Sequence, residues 1–180
     1  MPERLTRSAW LDHGMAAMAK DGPAGLTLEA MCARTNKTRG SFYHHFASAA
    51  DFQKKLLVWW EKTCTHDLIE KIERLGQSGQ NLDHLNQLAA HFDPRIEKAF
   101  RRLAASSKGA ARTCRSVDNA RIAYLTKLYQ LSPRYSPEEA QMLAQIEYAA
   151  WVGFLLVAPD AGPREMLEMY QAFLKLTGRR

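Results

Sequence analysis

The stretch Thr27-Leu28-Glu29-Ala30-Met31-Cys32-Ala33-Arg34-Thr35-Asn36-Lys37-Thr38-Arg39-Gly40-Ser41-Phe42-Tyr43-His44-His45-Phe46 decides how this chain folds. Thr27 is a good N-cap, and the helix it starts carries Leu28, Met31 and Cys32 on its inner side. Asn36 follows, a residue that tolerates the left-handed conformation of a tight turn. Thr38 then caps a short helix running to about His45, with Phe42 and Phe46 inward. Two short helices locked by apolar contacts, the second showing polar and small side chains outward, make a helix-turn-helix module for double-stranded DNA. Lys37 to Ser41 and Tyr43 to His45 are free to face outward. From Asn36 to Ala50 there are two certain cations, two histidines and no acid.

Reading outward, the helical period dominates and strand-like alternation is nearly absent. Before the module, Thr6 to Lys20 places Trp10, Leu11, Gly14, Met15 and Met18 on one stripe and stops at Asp21-Gly22-Pro23. After it, Ser48 caps a long helix predicted to reach Leu75, before the breaker Gly76-Gln77-Ser78-Gly79. Further helices are predicted at 82–92, 94–105 and 110–131. Ser136-Pro137-Glu138-Glu139 is a strong start for one reaching Val157, and a last runs from Arg164 to Leu176 after the Pro159–Pro163 break. The expected fold is all-α, about nine helices. A three-helix DNA-binding domain occupies 1–52 and a helical domain 53–180.

Composition sets limits around this reading. The net charge of +6 leans toward an anionic partner. Cys32, Cys64 and Cys114 are far apart and odd in number, which favours a reducing cytoplasm over a disulfide framework. The polar start, Met1 to Arg7, does not read as a signal peptide. The longest apolar run, Ala149 to Ala158, is shorter than the roughly 20 residues a membrane span needs, so a buried helix and no membrane partner are expected.

The 27–46 stretch, with its Tyr43-His44-His45-Phe46 ending and its Gly22–Thr27 approach, resembles the N-terminal domain of TetR-family transcriptional regulators. The motif covers about a quarter of the chain, and the helical remainder suits the same family. The resemblance implies a bacterial, cytoplasmic homodimer that binds a palindromic operator. It also implies a helical bundle for ligand binding and dimerisation, and repression, the family majority, released by a small molecule. Roles follow from chemistry and resemblance together. Arg39 can fork onto guanine O6 and N7, and Ser41 can bond to either groove edge. Gly40 permits close backbone approach. Thr27, Thr38, Tyr43 and His44 look like phosphate contacts that set register, and Lys37 serves either task. Two departures matter. Asn36 and Lys37 stand where the family often has Gly and a small apolar residue, and Ala49 stands where a Lys often follows the Ser. The operator is therefore expected to differ from those of relatives.

Helix-turn-helix modules gain by reading two half-sites as dimers. The resemblance places that interface on the last two helices, where Ala149, Gly153 and Val157 fall at four-residue spacing and Met169 and Phe173 lie beyond. The alternative is that these faces fill the monomer core. The effector candidates are Trp60, Phe100, Tyr124, Tyr148 and Trp151, a set that suits a largely apolar or aromatic ligand, though aromatics also serve as plain core. The basic run from Arg95 to Arg121 can attract an acid group or form a solvated face.

Two rivals stand beside this reading. The chain lacks paired metal-ligand spacing, since Cys64 and His66 diverge on a helix and His84 and His91, seven residues apart on one face, make only a lone pair. With no phosphate-cradling Gly loop and no nucleophile elbow either, no catalysis, no metal and no cofactor are expected. The second rival keeps the DNA module but delivers a protein partner, as in chromosome organisation.

Overall fold

The computed structural model describes residues 4–76, 81–89, 92–158 and 160–176, with residues 81–83 described by their backbone alone. His91, Pro159 and residues 77–79 of the predicted breaks lie outside them. The described residues form helices and no strand: α1 (Arg7–Asp21), α2 (Leu28–Thr35), α3 (Arg39–Tyr43), α4 (Ala49–Glu61), α5 (Asp67–Glu73), α6 (Asn81–Ala89), α7 (Pro94–Ala104), α8 (Lys108–Gln130), α9 (Pro137–Val157) and α10 (Pro163–Leu176). With 49–73 counted as one run, these are nine helices among the described residues, in agreement with the expected all-α class.

The ends of the helices follow local chemistry. Thr6, Thr27, Thr38, Ser48 and Ser136 each accept a backbone N–H three residues ahead, which satisfies a donor the helix itself cannot pair. At Ser136 the arrangement closes into a capping box, because the Glu139 carboxylate takes the Ser136 N–H at 2.8 Å. α1 stops at Gly22, whose φ of +64° suits a residue without Cβ. Asn36 sits at φ 50° and ψ 43° after α2, the left-handed turn that the sequence calls for.

Two helices depart from expectation. α3 ends at Tyr43 rather than His45, because the chain tightens there: the His45 N–H turns back to the Phe42 carbonyl, three residues behind. The predicted helix from Ser48 to Leu75 is interrupted by a π turn at Lys62–His66, between α4 and α5. Smaller shifts place α6 at Asn81–Ala89, α8 from Lys108 and α10 from Pro163.

Packing divides the chain into two compact units, one of 1–62 with 95–114 and the other of 63–94 with 115–180. α4 runs through the 52/53 division expected from the sequence. In the first unit, Phe42 is the hub of an aromatic core, with Trp10, Phe46 and Phe52 rings at 5.5, 5.1 and 5.4 Å. α1 crosses α4 closely at Gly14, where an added Cβ would lie 2.8 Å from the Phe52 ring. In the second unit, Leu125, Tyr129, Ala140, Ala144 and Tyr148 pack α8 against α9, and Leu155, Ala161 and Met166 join α9 to α10.

α9 is the one helix among the described residues long and apolar enough to cross a membrane by length and composition. Its inward carboxylate, Glu147, is buried and accepts the hydroxyls of Tyr129 and Tyr170, as a helix packed within protein requires.

Candidate nucleic-acid interface

A surface that reads DNA needs polar groups held in fixed register by a core that does not move with them. The aromatic hub meets the second condition, since Phe42 and Phe46 are fully buried and anchor the C-terminal end of α3. Between and around them, Thr27, Thr38, Arg39, Gly40, Tyr43 and His44 are exposed, and Lys37 and Ser41 are half-buried. Of the eight residues named from the sequence, Thr27 is the N-cap of α2, Lys37 and Thr38 lie in the turn, Arg39, Gly40, Ser41 and Tyr43 are on α3, and His44 follows it.

Each has a local reason for its place. Thr27 and Thr38 are committed to their caps through Oγ1, which fixes them at the start of α2 and α3. The Lys37 N–H closes onto the Cys32 carbonyl at 3.2 Å, so the Asn36 turn sets where its side chain leaves the backbone. A Cβ at Gly40 would meet nothing closer than Thr38 Oγ1 at 3.7 Å, so the fold itself leaves room for a side chain there. Tyr43 stands 52% exposed with its ring edge on Phe42. His44 packs edge-on against His45, whose Nε2 lies 2.8 Å from the Leu5 carbonyl and ties the segment before α1 to the end of the module.

Arg39 carries a feature that the sequence does not reveal. Its Nη2 donates to Glu29 Oε1 at 2.6 Å, an ion pair across the turn from α3 to α2. Sequence reasoning gives Glu29 no role. One signal was available: Glu29 is the sole acid between residues 22 and 50. Beside the pair, burial pushes the half-buried Cys32 thiol up from its ordinary value, with the Arg39 charge opposing.

The ligand candidates fall in both units. Trp60 and Phe100 stack at 4.6 Å within the first, both fully buried. In the second, Tyr148 donates to Asp118 at 2.6 Å, while Arg121 donates to Thr65 and to the Cys64 carbonyl of the π turn. Trp151 is half-buried, edge-on to Tyr170 at 5.7 Å. Tyr124 lies in a separate cluster with Ile72 and Leu128, and burial raises its phenol above the ordinary range. Within the basic run, Arg101 pairs with Glu97.

On α9, Ala149 and Val157 are exposed and Gly153 half-buried; on α10, Met169 and Phe173 are half-buried. Cys64 and Cys114 are buried, and none of the three cysteines is joined in a disulfide. Among the described residues, no group of three or more His, Cys, Asp or Glu is placed to hold a metal ion.

No protein-family model matches the chain, and no curated protein matches it in sequence. Solved structures do match in fold. One, assigned to the TetR/AcrR family of transcriptional regulators, superposes with a TM-score of 0.77 at 18% identity, over 93% of this chain and 95% of its own. NemR of Escherichia coli, in its reduced form, gives 0.75 at 21% identity, over 94% and 95%. SmeT, the repressor of the multidrug efflux pump SmeDEF in Stenotrophomonas maltophilia, gives 0.64 at 18% identity, over 96% and 90%. The chain thus has the fold of TetR/AcrR-type regulators along nearly its whole length.

Proposed function

We propose that this chain is a TetR-family, DNA-binding transcriptional regulator, a repressor released by a small, largely apolar or aromatic ligand. The observation that carries this reading is the 27–46 module. Its caps, left-handed turn and buried phenylalanines hold Lys37, Thr38, Arg39, Ser41, Tyr43 and His44 on one polar stretch free of acids. The geometry suits α3 as the helix that enters the major groove, with Arg39 and Ser41 reading base edges and Thr27, Thr38, Tyr43 and His44 on phosphates. Residues 1–52 then form the DNA-binding domain and 53–180 the ligand-binding and dimerisation domain.

Dimerisation through α9 and α10 is supported by an exposed apolar stripe on α9. Met142, Ile146, Ala149, Gly153 and Val157 recur at three- and four-residue spacing, with Ile146 50% and Val157 76% exposed. A monomer in water gains nothing by such a stripe, whereas a second copy buries it. The buried aromatics Trp60, Phe100, Tyr124 and Tyr148, with Trp151, suit an apolar effector. A non-enzymatic role in the cytoplasm follows from the same reading.

The test is a titration of the purified protein against its own upstream intergenic DNA across salt concentrations. Tight, salt-dependent binding to a palindrome is the expected result. Affinity no greater than for random DNA at every salt overturns the proposal.

A further inference from the structure

The ion pair between Arg39 and Glu29 stands on the face that the DNA-binding reading gives to the operator. Both side chains are largely exposed, at 66% and 67%, so packing does not hold them together. The carboxylate is also the one negative charge in the module, where it repels phosphate. An acid there costs affinity for every duplex. Its retention of Arg39 is the compensating act available to it.

Resting on the DNA-binding reading above, we propose that Glu29 is a positioning residue that makes Arg39 selective for guanine. A carboxylate presents two acceptor oxygens to a guanidinium, much as guanine presents O6 and N7. The pair engages one nitrogen, Nη2. Nη2 carries a second N–H, which with the neighbouring nitrogen on that edge forms the fork that meets guanine, so Arg39 can stay on Glu29 and still meet a guanine edge. On a duplex without guanine at that position, turning the guanidinium away from Glu29 onto a phosphate leaves the carboxylate facing the DNA unpaired, which is unfavourable. Glu29 therefore disfavours non-specific phosphate contact by Arg39 and keeps its open edge for one base.

Wild type, Glu29→Gln, Glu29→Asp and Arg39→Ala, with the Glu29→Gln change also made on the Arg39→Ala background, are titrated against three duplexes. These are the selected operator, single-base variants of it and a scrambled sequence. Glu29→Gln is expected to bind the scrambled duplex several-fold more tightly, with a salt dependence steeper by about one counterion. Discrimination at the base pair read by Arg39 falls by a similar factor. On the Arg39→Ala background Glu29→Gln still raises affinity for every duplex alike, because it removes a charge that repels phosphate, but leaves discrimination at that base pair unchanged. Glu29→Asp keeps the charge at the start of α2 but draws the carboxylate back, so it follows Glu29→Gln in lost discrimination.

Wild-type discrimination in Glu29→Gln overturns the inference alone, and so does its full rescue by Asp, which assigns the effect to helix charge. A change in discrimination at that base pair on Glu29→Gln in the absence of Arg39 overturns it too. A wild-type chain with no preference among duplexes overturns the DNA-binding reading along with it.

Discussion

An arginine on an exposed helix normally contributes little, because water and salt screen it. Arg39 differs in its setting: it opens a five-residue helix that Thr38 caps at one end and buried Phe42 and Phe46 pin at the other, which fixes where its side chain leaves the backbone. Arg39→Ala is expected to cost about 1–3 kcal/mol of operator affinity and to relax preference at one base pair, with folding intact. Binding to single-base operator variants measures this, and unchanged preference removes Arg39 from the base-reading set. A second residue-scale effect belongs to Asp51, whose carboxyl is held below its ordinary value of 3.8 by the Lys55 ammonium and the Ala47 N–H. A depressed folded pKa means that the unfolded chain binds the extra proton first. The contribution is therefore complete above the ordinary carboxylate value and is lost as pH falls from there through the lowered one. Denaturant unfolding of Asp51→Asn should show a shallower decline with acid than wild type in that window. Parallel declines would remove Asp51 as a source of acid sensitivity.

Among elements, the crossing of α1 over α4 sets the frame that carries α2 and α3. Gly14 lies at the closest approach, with Leu56 Cδ1 3.0 Å from where a Cβ would stand and the Phe52 ring nearer still. Gly14→Val places two further carbons into that contact, and its expected cost is about 1–3 kcal/mol through overpacking. Urea unfolding measures this, and stability equal to wild type would contradict the close crossing. Helix starts were legible in the sequence because Thr6, Thr27, Thr38, Ser48 and Ser136 act on their own next turn. The Asn36 turn was legible for the same reason. The π turn at Lys62–His66 was not. One extra residue in one turn barely disturbs an apolar period, and the groups that meet it, such as Arg121 on the Cys64 carbonyl, arrive from 57 positions away. The Glu29 partnership with Arg39 was hidden likewise, since it depends on how the Asn36 turn brings two helices together.

For the whole molecule, fold class was legible because caps and periodicity repeat along the chain, and solved structures match over more than nine-tenths of it. Which aromatics meet was not. Trp60 with Phe100 and Trp151 with Tyr170 are tertiary pairings that no spacing along one helix encodes. The same limit applies to the α9 stripe, where sequence alone gave a small-residue face at 149, 153 and 157 and left open whether the monomer covers it. Met142 and Ile146 are half or more exposed and extend that face toward the start of the helix. Ile146→Glu puts a charge on the stripe at a position already in contact with water, so the folded chain should tolerate it. In a dimer the same carboxylate is buried without a partner, at a cost that association does not meet. The expected outcome is a helical, folded chain that sediments as a monomer, with operator affinity reduced by at least an order of magnitude because the second half-site no longer adds to the first. Sedimentation velocity with circular dichroism reads both parts. A variant that remains dimeric with full operator affinity would place the interface on another face of the molecule.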